Sequence, residues 1–150
     1  MYLNDRNIYQ AARRAAGLTQ EAAAERLGIS VESIRAYETG LRVPPMEVAD
    51  LMVICYNSQA LAVQHLRASA SMARELLPEV PQVRLPEAAL SLIDRIYAFA
   101  DKHRDRELIR IAQDGVIDEE ERADFDEIAR ELEGIVQAAV ALRCAGPGAE

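Results

Sequence analysis

Tryptophan is missing from this 150-residue chain, aromatics make up only 5% of it, and a single lysine, Lys102, stands among its 17 basic residues. With so few aromatic residues, and no stretch alternating polar and apolar for long, strands have little to build on. Ala and Leu abound instead, so an all-α fold is expected. Half of the residues are hydrophobic, which is ample for a packed core and excludes a disordered chain. No window approaches 18 uninterrupted apolar residues, and the opening NDRN stretch has no apolar h-region behind it. A cytoplasmic protein with no membrane partner is the expectation. Cys55 and Cys144 lack CxxC spacing and sit among apolar neighbours, where a reduced cysteine behaves as a small hydrophobe. The two histidines, His65 and His103, have no ligand or nucleophile pattern around them, and no Gly-rich phosphate loop is present. No enzyme, cofactor or metal is therefore expected.

What is present is a short stretch with strong local signals, GLTQEAAAERLGISVESIRAYETG from Gly17 to Gly40. Thr19 is a good N-cap for a helix over Gln20 to Leu27, Gly28 breaks it, and Ser30 caps a second helix running to about Thr39. Two short helices at a glycine turn form the unit that fits the DNA major groove. With Arg13 upstream, the residues Gly17, Leu18, Thr19, Gln20, Ala24, Leu27, Gly28, Ser30, Ile34, Tyr37, Glu38, Gly40 and Pro44 or Pro45 stand at fixed spacing. On these residues the chain resembles the phage-repressor-like (Cro type, xenobiotic-response-element type) helix-turn-helix transcriptional regulators over roughly its first 56 residues. Ala23 departs from the pattern, which has a larger aliphatic there.

The resemblance implies a lambda-repressor-like domain that binds double-stranded DNA. It implies a structural ion pair between Arg13 and Glu38, fixing the angle between the first and third helices; the other reading of Arg13 is a free phosphate ligand. Carried over by position, Gln20 becomes a backbone and base contact, and Ser30, Val31, Glu32, Ser33, Arg35 and Ala36 form the groove-facing set. Ile34 and Tyr37 face inward. Arg35 can fork onto guanine or phosphate, Glu32 can accept from cytosine, Val31 or Ala36 can touch a thymine methyl, and Arg14 and Arg42 can reach phosphates.

The charge of −8 opposes DNA binding only if it is spread evenly. Residues 1–60 hold six arginines against seven acids, whereas residues 61–150 hold eleven basic residues against eighteen acids. The acidity belongs to the C-terminal part.

Along the chain, a first helix is expected from just after Asn4 or Asp5, with Ile8, Ala11, Ala12 and Ala15 inward. A fourth is expected over 45–56 with Val48, Leu51, Met52 and Cys55 on one side, and a connecting helix over 57–77 with Leu61, His65, Met72 and Leu76 inward. Three prolines make 78–86 an extended connector. A long helix over 86–113 should bury Leu90, Ile93, Tyr97 and Ala100, with the DKHRDRE run solvated. Asp118 and Glu121 read as a capping box for a last helix. Its seam, Phe125, Ile128, Leu132, Ile135, Ala139 and Leu142, recurs every three and four residues like a heptad and wants another helix. Either the 86–113 helix of the same chain or a second subunit can supply it. The tail from Cys144 should fray.

The expected domains are thus a helix-turn-helix head over 1–56, the 57–77 helix, the connector, and a helical hairpin over 87–143 for self-association or partner binding. QDGVIDEEE resembles the later half of a calcium loop, but Arg110 and Ala112 fall where the first ligands belong, which defeats the site. The self-cleaving Ser-Lys peptidase domain of some phage-type repressors needs strands that this chain lacks. The expected function is a sequence-specific regulator, a repressor acting as a homodimer on a palindromic operator, open to a protein antirepressor. The alternative is an antitoxin-like or adaptor module whose acidic C-terminal part binds a protein partner.

Overall fold

The computed structural model describes residues 7–81 and 83–145, all of them helix, turn or coil without a strand. The chain divides into two compact units, Met1–Glu79 and Val80–Glu150.

The first unit holds α1 (Ile8–Ala15), α2 (Gln20–Leu27), α3 (Val31–Glu38), α4 (Met46–Cys55), α5 (Gln59–Ser69) and α6 (Ser71–Leu76). Short polar side chains set the starts of the first three. Asn7 accepts from the backbone of Tyr9 and Gln10, Thr19 from Ala22, and Ser30 from Ser33. Gly28, at φ 67°, takes the left-handed conformation that closes α2. The proposed earlier start at Asn4 or Asp5 lies outside the described residues, and Asn7 as cap begins the helix at Ile8.

Tyr9, Ala12, Ala23, Ala24, Leu27, Ile34, Tyr37, Met52, Tyr56 and Leu61 form the core. The inward stripe of α1 is therefore Tyr9, Ala12 and Arg13, rotated from the expected one, and Ala15 is exposed because the larger tyrosine fills the space between α1 and α5. On α4, Leu51 is 49% exposed and Ala49, Met52 and the following Tyr56 turn inward instead. The helix expected over 57–77 is broken at Ala70, whose extended backbone (φ −139°, ψ 130°) separates α5 from α6. The break swings Met72 and Leu76 into solvent. Arg67 donates to the carbonyls of Arg74 and Leu77, which folds α6 back against α5.

α5 packs on α1 and α4, with Leu61 fully enclosed. His65 is buried beside it: the Ser69 hydroxyl donates to the His65 carbonyl at 2.7 Å, so its oxygen is left to accept from Nε2 at 3.3 Å, and Nδ1 accepts from the Tyr9 hydroxyl at 2.9 Å. Burial pushes the His65 pKa below its ordinary value, against the opposing pull of Asp50, and raises that of Tyr9 to about 12. A histidine held neutral by folding binds fewer protons than its unfolded counterpart. Stability of this unit should then fall as pH drops through the unfolded value of 6.5 and on to the lower folded one. Thermal unfolding between pH 7.5 and 5.5 checks this: the wild-type midpoint should fall over that range and the midpoint of His65→Phe should stay flat.

The second unit holds α7 (Leu85–Asp101), α8 (Arg104–Ile111) and α9 (Arg122–Cys144). The long helix expected over 86–113 is two. α7 starts one residue early at Leu85 and stops at Lys102, because His103 adopts a left-handed backbone (φ 55°). Arg104, just past the bend, is not solvated like its neighbours. It meets Glu107 at 2.7 Å, Glu127 at 2.6 Å and Glu131 at 3.1 Å, while Lys102 meets Glu131 at 2.9 Å, tying the bend to α9.

α9 runs along α7 and, over a shorter stretch, α8. The turn at 119–121 delays its start to Arg122, although Asp118 does accept from the Glu121 backbone. The faces in contact differ from those expected. On α7, Ala88 is buried while Leu90, Ile93, Tyr97 and Ala100 are all exposed; on α9, Ile128, Ala138 and Ala141 are buried. Phe125, Ile135, Ala139 and Leu142 are half-buried and Leu132 is 36% exposed. Arg95 lies against Gly134, where a helix face of Gly134, Ala138 and Ala141 offers room that larger residues would fill. These small residues, placed between the heptad positions, decide which way α9 faces. The tail beyond Ala145 lies outside the described residues.

Candidate nucleic-acid interface

The angle between α1 and α3 is set by a buried ion pair. Arg13 donates from Nε to Glu38 Oε1 at 2.5 Å and from Nη2 to Oε2 at 2.9 Å, and its Nη1 reaches the Leu18 carbonyl at 2.6 Å. Each of its three nitrogens donates inside the fold, so it is architectural and the reading of Arg13 as a free phosphate ligand is set aside. Burial pushes the Glu38 carboxyl up, but hydrogen bonds from Arg13 and Gln20 outweigh it and hold the group below its ordinary range. Asn7 adds a brace from outside the motif, donating from Nδ2 to the Tyr37 carbonyl at 2.6 Å. Neither its role as N-cap, where Asn4 or Asp5 was expected, nor its grip on α3 was foreseen; Asn7 and Tyr37 are 30 residues apart in sequence.

On the outer side, Gln20 stands at the start of α2 and Arg35 on the exposed flank of α3, with Arg35 Nε 3.3 Å from Gln20 Oε1. Ser30 and Ser33 hydrogen-bond at 3.0 Å, and Arg42 Nη2 reaches Ser33 Oγ at 3.5 Å. The Arg42 guanidinium also lies 5.5 Å from the centre of the Tyr37 ring, a cation–π contact that keeps it beside α3. These contacts form two groups on and beside α3, Gln20 with Arg35 and Ser30 with Ser33 and Arg42. Glu32 is exposed on the same helix and Ala36 half-exposed. Val31 is half-buried and packs against the core, which leaves only part of its side chain for a ligand. Arg14 is exposed at the end of α1, with no contact to either group.

Two other readings can be checked here. Among the described residues no group of three or more His, Cys, Asp or Glu could hold a metal. In the calcium-like stretch, Arg110 pairs with Glu121 at 3.4 Å, so the residue at the first loop position binds the carboxylate at the last. Among the described residues no helix is long and apolar enough to cross a membrane.

Residues 10–59 match the family model described as helix-turn-helix, of the repressor-like type, a DNA-binding domain of transcriptional regulators. The match takes in α2, α3, α4 and most of α1 and stops at the first residue of α5. No match was found among curated proteins or solved structures.

Proposed function

With a helix-turn-helix domain over residues 10–59, we propose that this protein is a sequence-specific, cytoplasmic transcriptional repressor that binds a palindromic operator as a homodimer. The observation that carries the reading is the outward polar set on and beside α3, Ser30, Ser33, Arg35 and Arg42, with the helix held from behind by the Arg13–Glu38 pair and Gln20 reaching Arg35 from α2. Glu32, Val31 and Ala36 complete the groove-facing set, and Arg14 and Arg42 serve phosphates. The first 60 residues are close to neutral in charge, so affinity per subunit is modest and salt-sensitive. Two recognition helices on successive major-groove turns supply the rest.

The hairpin of the second unit suits the dimer role. Leu90, Ile93, Ile96 and Tyr97 on α7, and Leu132 and Val136 on α9, are apolar and exposed at helical spacing, a surface that a second hairpin can cover. Leu132→Glu should convert the dimer to a folded monomer in sedimentation. Unchanged sedimentation, or unfolding, would remove this position from the subunit contact. The excess of acids in residues 61–150 favours a second reading, an adaptor or antitoxin-like module in which that part binds a basic protein partner. Duplex DNA from the upstream region of the gene separates the two. Salt-sensitive binding that weakens at least tenfold in Arg35→Ala supports the regulator, and its absence supports the adaptor.

A further inference from the structure

We infer that Gln20 and Glu38 are positioning residues that aim Arg35 at a guanine, and that Gln20 itself is not a DNA ligand; the inference rests on the regulator reading above. Four side chains form one line from the core to the surface. Arg13 grips Glu38 through Nε and Nη2, Gln20 Nε2 donates to Glu38 Oε2 at 2.9 Å, and Arg35 Nε donates to Gln20 Oε1 at 3.3 Å.

The direction of each bond follows from the chemistry. An ionised carboxylate only accepts, and the Glu38 carboxyl is held below its ordinary range by these bonds. The Gln20 amide must therefore turn its NH2 inward and its carbonyl oxygen outward. Reversing it would set two oxygens against each other at a buried carboxylate and lose a charge-assisted bond. An outward carbonyl oxygen is a poor neighbour for a phosphate, whose oxygens also only accept. Nor does the amide present its two ends side by side to an adenine edge, because its NH2 faces Glu38 while its oxygen faces Arg35.

What that oxygen can do is hold a guanidinium. With Nε committed to Gln20, Arg35 is left with its two terminal nitrogens, which form an end-on fork. Two parallel donors match the O6 and N7 acceptors on the major-groove edge of guanine. A lysine at this place would bring one mobile ammonium and no fork. The buried ion pair thus has a second consequence: through one amide it sets the base that α3 prefers.

The test uses the full chain. Selection from a randomised duplex library should yield half-sites with an invariant guanine, and binding to that duplex is then compared with the same duplex carrying adenine there. Wild type should prefer guanine by roughly 10-fold. Arg35→Lys should bring the ratio close to one. Gln20→Met, and Gln20→Ala as a second variant, should lower the ratio severalfold while affinity for unrelated duplex DNA stays that of wild type. A direct phosphate ligand behaves the other way, with the ratio kept and affinity lowered alike for the guanine, adenine and unrelated duplexes. That result, or a selected site without a guanine sensitive to Arg35, overturns the positioning role and leaves the regulator reading standing. Wild type that selects no site overturns both.

Discussion

Glu38→Ala should destabilise the N-terminal unit by about 3–5 kcal/mol, the cost of leaving one buried charge without its partner. The carboxylate accepts from Arg13 at 2.5 and 2.9 Å and from Gln20 at 2.9 Å, and both members of the ion pair are almost fully enclosed. Truncation strands the Arg13 guanidinium, whose side chain is only 7% exposed. Replacing both partners is a different matter: Arg13→Met with Glu38→Leu removes the stranded charge and should recover most of the loss. Hydrogen exchange of the α1 to α5 amides in the full chain reads the change without interference from the other unit. A loss under about 1 kcal/mol would place the pair among ordinary surface contacts. The acid dependence has a definite sign. Because the folded carboxyl titrates below the unfolded value of 4.5, its contribution is complete above that pH and is lost as pH falls through the lower folded value.

Leu61→Ala should cost the same unit about 2–5 kcal/mol, the usual penalty for truncating a large enclosed aliphatic. Leu61 lies on α5, beyond the residues matched to the helix-turn-helix family, yet it is fully buried in the core shared by α1 and α4. The head is therefore larger than its motif. A chain ending at Tyr56 should have a lower midpoint of thermal unfolding than one ending at Glu79, since it lacks Leu61 and the Tyr9–His65 contact. Equal midpoints for the two would show α5 to be an appendage.

How far the sequence could be read depended on the range of the signal. Thr19, Gly28 and Ser30 act on their immediate neighbours, and the helices they bound fall where those residues place them. The Arg13–Glu38 pair followed from a resemblance, and no local rule would have found it. Periodicity failed on α7, where Leu90, Ile93 and Tyr97 form as good a stripe as the one that turns inward. An apolar helix with two usable faces does not declare which neighbour it will meet. The smallest residues of α9 decided the matter, and Gly134, Ala138 and Ala141 carry little weight in any hydrophobic pattern. The breaks at Ala70 and His103 were hidden for a related reason: neither is a glycine or proline. Around α3, the caps and the exposed polar residues could be named from the sequence, and the hydrogen bonds that join them could not. That Gln20 faces Glu38 on one side and Arg35 on the other depends on how α2 meets α3.

Genome-wide crosslinking of the full-length protein, wild type against Arg35→Ala, tests the central claim most directly. Wild type should enrich a palindromic motif whose half-sites lie one helical turn apart, about 10 base pairs centre to centre, and the variant should lose it. No enriched motif in wild type, or the same peaks in both proteins, would contradict the account of α3 as the element that reads DNA.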